Sequence, residues 1–187
     1  MMPQPRALRA SSNGAADAEL LAQVARGDTH ALGALYDRYA VSLTRYAARI
    51  DRADAEDVVQ TVFLRVMRLA DRFQPTAATA RPWLFAITAR VLQERARSLA
   101  RRGRAMFRLR EQGGPRSLSS SSVQRDLERC IARLSRAKST VLVLYEVEGF
   151  SCEEIAVMLS IPVGTVWTRL HHARQELRAH YRGAETA

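Results

Sequence analysis

The side chains of this chain that could do chemistry are donors for a polyanion rather than acid–base pairs or nucleophiles. They concentrate between Ser151 and Arg178, where two short helical patterns flank a tight turn. The first opens on Ser151-Cys152-Glu153-Glu154, a capping box in which Ser151 and Glu154 satisfy each other's free backbone donors. Ser160-Ile161-Pro162 breaks the helix, because Pro162 lacks an N–H and pushes Ile161 out of the helical region. The second pattern keeps Val166, Leu170, Ala173 and Leu177 on one stripe and turns Thr165, Trp167, Thr168, Arg169, His171, His172 and Arg174 outward. This is the pattern of a helix-turn-helix whose second helix enters a DNA major groove. An arginine fork suits guanine edges and phosphates. Arg169, two turns in, reaches either, and sequence leaves both open. Arg174, further along, suits a phosphate, because recognition helices read bases from their N-terminal half. Trp167 is either half-buried against the preceding helix or apposed to thymine methyls and sugar. His171 and His172 are adjacent, so they do not share a helix face, and no metal site is read there.

A second basic concentration runs from Arg90 to Arg110, with eight arginines against one acid, Glu94. Alone it reads as a solvated face beside a linker. Trp83, just upstream, reads alone as core. Asp51, Asp54, Glu56 and Asp57 gather at the start of the helix carrying Val59, Val62, Phe63 and Val66. Carboxylates there complement the helix dipole, and Asp54 is placed to cap.

The elements that position these groups are helical. Leu32, Leu35, Tyr36 and Tyr39 form one stripe, and Leu84, Ile87 and Val91 another, opened by Pro82. No segment alternates with period two. Residues 1–16, rich in Pro, Ser, Ala and Arg, read as a disordered arm. Gly113-Gly114-Pro115 and the run Ser119 to Ser122 mark residues 103–124 as a flexible linker. Patterning resumes with Leu127, Ile131 and Leu134, then Val141, Leu144 and Tyr145. The expected architecture is all-α, two small helical domains at 17–102 and 125–182, the second a helix-turn-helix.

Composition points the same way. The 187 residues carry a formal charge of +10, which favours a polyanion partner. Lys138 is the only lysine among 29 basic residues, a bias that GC-rich coding explains. Cys130 and Cys152 fit neither a zinc spacing nor a disulfide framework and are expected to be buried thiols in a reducing compartment. No run has the length of a membrane helix and no signal-peptide core is present, so a cytoplasmic protein without membrane insertion is expected. No cofactor and no catalytic residue are expected.

Two sets of motifs carry a family resemblance. Glu148-Gly149-Phe150-Ser151, Glu154-Ile155-Ala156, Ile161-Pro162-Val163-Gly164-Thr165-Val166 and Arg169-Leu170-His171-His172-Ala173-Arg174 resemble region 4 of bacterial sigma factors of the extracytoplasmic-function (ECF) type, in the sigma-70 family. Asp54-Ala55-Glu56-Asp57-Val58-Val59-Gln60-Thr61-Val62-Phe63-Leu64 and Arg81-Pro82-Trp83-Leu84-Phe85-Ala86-Ile87 are similar to region 2. The resemblance implies a dissociable sigma subunit that binds core RNA polymerase, recognises promoter −35 and −10 elements and initiates transcription. It implies docking on the β′ clamp helices through Asp54, Asp57, Gln60 and Phe63, and a second contact with the β flap. It assigns −10 contacts to Arg81, Trp83, Arg90, Arg95 and Arg97, with the stretch Gln74 to Ala80 holding an extruded base. It assigns −35 contacts to Thr165, Trp167, Thr168, Arg169, His172 and Arg174. An anti-sigma factor is carried as a candidate partner. The chain departs from the family at Thr61, where Glu is frequent, at Arg90, where Asn is usual, at Glu94, which stands for Asp, and at Trp167, where Lys is common.

Two other classes compete. A conventional helix-turn-helix regulator would bind operator DNA without polymerase, and would leave the basic aromatic segment outside the motif unexplained. A recombinase would need a nucleophile in a catalytic fold, for which the sequence offers no constellation.

Overall fold

The computed structural model describes residues 14–51, 54–74, 79–106, 130–131 and 133–185. Every regular element among them is helical. The N-terminal half is built from α1 (Gly14–Ala25), α2 (Thr29–Ile50), α3 (Ala55–Leu69) and α4 (Arg81–Met106). The C-terminal half is built from α5 (Arg136–Leu142), α6 (Cys152–Leu159) and α7 (Val163–Glu185). Helix reaches past both expected boundaries, starting at Gly14 inside the expected arm and running to Met106 inside the expected linker. Residues 1–13 and 107–129, which hold the rest of both segments and Leu127, lie outside the described residues.

In the N-terminal half, Asp28 caps α2, accepting from the His30 and Ala31 amides at 2.8 and 3.3 Å. Leu35, Tyr39, Leu43 and Tyr46 of α2 meet Val58, Val59, Val62 and Val66 of α3 and Leu84, Phe85 and Val91 of α4 in the core. Tyr36, placed on the apolar stripe by spacing, is instead 45% exposed at the rim. Asp17 is the polar tie of this half and is fully buried. Its carboxylate accepts from Arg38, from the Tyr39 hydroxyl and from the Ala80 amide at 2.9 Å, joining α1 to α2 and to the start of α4. A buried carboxylate is tolerated only with such partners.

In the C-terminal half, the capping box is formed as expected. The Glu154 amide donates to Ser151 Oγ at 3.1 Å and the Ser151 amide to Glu154 Oε2 at 2.7 Å. The helix breaks at Ser160-Ile161-Pro162, and the turn begins at Ser160. Ser160 adopts the left-handed conformation at φ 52°, and the Ile161 amide donates back to the Ala156 carbonyl at 3.0 Å, the long bond of a Schellman-type cap. α7 then leaves at an angle that packs Val166, Leu170 and Ala173 onto Val141, Leu144 and Ile155. Cys130 and Cys152 are buried and free.

The two halves pack together and share one apolar cluster. Its bridge is a row of rings, Tyr46 to Phe85 at 5.2 Å and Phe85 to Phe150 at 5.3 Å. α4 runs along α6, and α2 touches α5.

Candidate polymerase and nucleic-acid interfaces

The acidic start of α3 is exposed, but Asp54 does not cap it. Asp54 sits at the cap position without a side-chain bond to the helix, and its carboxylate instead accepts from Arg95 at 2.7 Å. Arg95 also lies 4.0 Å from Asp57. The guanidinium is the stronger partner for the carboxylate than a backbone amide would be. Asp57 and Gln60 face solvent. Phe63 does not join them: it is 5% exposed and packs under the Tyr36 ring at 4.9 Å. Its spacing from Val59 and Val66 puts it on the buried edge of the stripe, although it lies only one turn from the exposed Gln60. The exposed stripe is continued by Leu64 and Met67, 59% and 47% exposed, which follow Gln60 at helical spacing. Sequence reading missed both residues, although that spacing was visible. Solvent-facing apolar side chains in a row mark a protein contact more than a solvated face.

Of the residues assigned to the −10 element, Arg90 and Arg97 are exposed on α4. Trp83 is partly buried and packs edge-on to Phe73 at 5.3 Å, so its core role is real but leaves part of the ring uncovered. Arg81 points at the C-terminal half. It donates to Glu148 Oε2 at 2.8 Å and to the Glu148 carbonyl at 3.0 Å, with its guanidinium over the rings of Phe150 and Phe85 at 4.3 and 4.8 Å. Glu94 pairs with Arg65 of α3, and that hydrogen bond holds its carboxyl below the ordinary value. In the base-holding stretch Gln74 to Ala80, residues 75–78 lie outside the described residues.

On α7, Thr168 and His172 are exposed and Trp167 is 44% exposed. Thr168 Oγ1 donates to the Gly164 carbonyl at 2.9 Å, which leaves an oxygen lone pair and the methyl outward. Thr165 is half-buried where the helix starts, and Arg169 is half-buried on the side turned toward α4. Arg174 is held by Glu146, accepting carboxylate to guanidinium at 2.5 and 2.8 Å, with its carbon over the Tyr145 ring at 5.3 Å.

The π turn Val143–Val147 sets these acids apart. Glu146 faces α7, while Glu148, two residues on, faces α2 and α4. Burial raises the Glu148 carboxyl above its ordinary value even though Arg81 and Arg49 act in the opposite sense. Neither acid was singled out in the sequence, where Glu148 served only as part of a family motif.

Two helical halves, one basic and aromatic and one ending in a helix-turn-helix, define the class of a DNA-reading protein. Residues 35–102 match the family model of sigma-70 region 2, and residues 124–177 that of sigma-70 region 4. The ECF RNA polymerase sigma factor SigL of Mycobacterium tuberculosis is 36% identical over 152 residues, covering 78% of this chain and 85% of SigL. The ECF RNA polymerase sigma-E factor of Escherichia coli K12 is 28% identical, covering 86% and 92%. Among solved structures, CnrH in complex with the cytosolic domain of CnrY is similar at a TM-score of 0.63 and 28% identity, over 90% of this chain and 98% of CnrH. The sigma factor RpoE in complex with the anti-sigma factor NepR from Bartonella quintana shares the fold at a TM-score of 0.64 and 23% identity, over 75% and 90%. The chain belongs to the ECF sigma factors of the sigma-70 family, the polymerase-associated subunits of promoter recognition. A stand-alone operator-binding regulator is not favoured, because region 2 matches as well as region 4.

Proposed function

We propose that this sigma factor docks on the β′ clamp helices of core polymerase through the α3 stripe of Asp57, Gln60, Leu64 and Met67, with Asp54 and Arg95 bracing its start. The observation that carries the assignment is the pairing of exposed acids with exposed apolar side chains on one helix face, beside a buried Phe63 that props Tyr36. Such a face offers an apolar centre and a charged rim, the composition of a protein interface.

The DNA-facing groups divide by chemistry. Arg90 and Arg97 supply a positive track for a displaced strand, and Arg81 joins them when it is released from Glu148. Trp83 offers a ring edge to an unstacked base. On α7, Trp167 and Thr168 meet base edges and thymine methyls, Arg169 a guanine edge or phosphate, and Thr165, His172 and Arg174 the backbone or adjacent bases. None of these groups needs a cofactor or does covalent chemistry, so the protein works by binding alone and in the cytoplasm, where the polymerase is. No described helix is long and apolar enough to cross a membrane. The C-terminal half contacts the β flap. An anti-sigma protein is a further partner class, as CnrY and NepR are for CnrH and RpoE.

The test is assembly. Asp57→Arg, a charge reversal at an exposed site, should weaken co-purification with core polymerase at unchanged helical circular dichroism. Assembly equal to wild type would reject the α3 assignment.

A further inference from the structure

One buried acid has no part in either proposed interface. Asp17 of α1 is fully buried, and its carboxylate is shared between two other helices. Arg38 and the Tyr39 hydroxyl donate to it from α2, and the Ala80 amide donates to Oδ2 at 2.9 Å. Ala80 is the residue that starts α4, because its carbonyl accepts the first bond of that helix, from the Leu84 amide at 2.9 Å. An alanine has no side chain with which to cap. Asp17 supplies from another helix what a serine or aspartate supplies locally. It gives a free amide an acceptor and puts negative charge at the positive end of the helix.

The cap lies at the foot of the stretch Gln74 to Ala80. α1 packs also on the short turn Ala70–Arg72, so it touches the chain on both sides of that stretch. The two ends are drawn together a second time by Phe73 and Trp83, whose rings meet edge-on at 5.3 Å. The rings tie the ends to each other, and Asp17 ties them to the rest of the N-terminal half. Arg81 and Trp83 belong to the first turn of α4, so the direction in which that turn leaves Ala80 decides where both side chains stand. Tyr39, which holds the carboxylate in place, is itself part of the core of α2. The start of α4 is thereby referred to the core rather than to its own sequence.

We propose that Asp17 is a positioning residue for promoter opening. It holds the start of α4 in one orientation, so that Trp83 and the ends of the adjoining stretch meet an unpaired base of the −10 element without first having to be ordered. Ordering paid in advance by the fold is not charged to the opening of the duplex. The proposal rests on the assignment of the −10 element to this region, and adds to it a residue that touches no DNA.

The experiment uses the full chain reconstituted with core polymerase, on a promoter that the wild-type holoenzyme transcribes. The same promoter is tested as a duplex and with mispaired bases across the −10 element, where the energy of opening has already been supplied. Asp17→Ala, which removes the acceptor, should lower run-off transcription from the duplex roughly tenfold, the order of one lost cap. Asp17→Asn keeps an acceptor for the Ala80 amide without the charge that holds Arg38, and should lower it roughly threefold. On the mispaired template both variants should come within about twofold of wild type, with co-purification with core polymerase and helical circular dichroism unchanged. A residue that merely held the domain together would be impaired on both templates alike. Such equal losses in either variant, or an Asp17→Ala holoenzyme as active as wild type on the duplex, overturn the proposal. Should Asp17→Ala not fold, the same comparison of templates with Asp17→Asn decides. Trp83→Ala separates the proposal from the assignment beneath it. No duplex-specific loss in Trp83→Ala removes the −10 assignment, whereas such a loss in Trp83→Ala without one in Asp17→Ala removes Asp17 alone.

Discussion

The surface we assign to polymerase and the one we assign to DNA differ in what they touch before any partner arrives. Asp57, Gln60, Leu64 and Met67 stand on the solvent side of α3, with Arg95 as their brace. Arg81 and Arg174, by contrast, are already engaged, by Glu148 and by Glu146. The difference teaches that charge alone does not tell which surface is available. The formal charge of +10 favours a polyanion partner, yet part of that charge is spent on the chain's own carboxylates while Leu64 and Met67 stay exposed.

The largest way to break this contrast is on α3. Leu64→Asp with Met67→Asp removes two exposed apolar side chains at no cost to the core, and should weaken polymerase assembly by about 2–4 kcal/mol, as interface hot spots do. Duplex binding by the free chain should stay within error. A pull-down beside an anisotropy titration reads both, and equal losses in the two would dissolve the distinction between the surfaces.

Arg169→Ala acts on the other side. In the holoenzyme a lost base contact should cost about 1–3 kcal/mol and relax selectivity at one position of a −35 substitution panel. A lost phosphate contact should weaken all sequences alike and lower the salt slope by about one unit. Polymerase assembly should be unchanged in either case.

Ser160→Gly touches neither surface. A side chain in the left-handed region costs about 1–2 kcal/mol, so glycine should stabilise the helix-turn-helix by up to about 1 kcal/mol once its greater freedom in the unfolded chain is counted. Urea unfolding measures it, and a loss of stability would mean that Ser160 contributes more than its backbone.

The smallest effect is on pH. Because burial raises the Glu148 carboxyl, the packed halves bind its proton more tightly than separated halves do. Its contribution to packing is therefore fullest below the ordinary carboxyl range and is lost as pH rises through the raised value. Arg81 and Arg49 face it from α4 and α2, with the buried Tyr46 phenol nearby. The pH dependence of scattering over this window should flatten in Glu148→Gln.

Much of this was legible in the residues. The capping box at Ser151, the apolar stripes of α3 and α4 and the polar face of α7 follow from helical spacing alone. Phe63 lies on the apolar stripe its spacing from Val59 and Val66 predicts, and its burial is what spacing to Gln60 alone does not show. The turn at Ser160-Ile161-Pro162 was legible through its proline, whereas the left-handed conformation of Ser160 that starts it has no sequence signal. Asp17, Glu146 and Glu148 were illegible for a common reason. Each acts on a partner from another helix, 63 residues away in the case of the Ala80 amide, and no local pattern announces such pairs.

The central claim is that this chain reads promoters through polymerase and not alone. Run-off transcription on genomic fragments tests it most directly, with core enzyme plus wild-type chain, plus Asp57→Arg, and plus none. Discrete transcripts should appear with wild type, few or none with Asp57→Arg and none from core alone. Transcripts undiminished by Asp57→Arg, or tight sequence-specific duplex binding by the chain without polymerase, would contradict it.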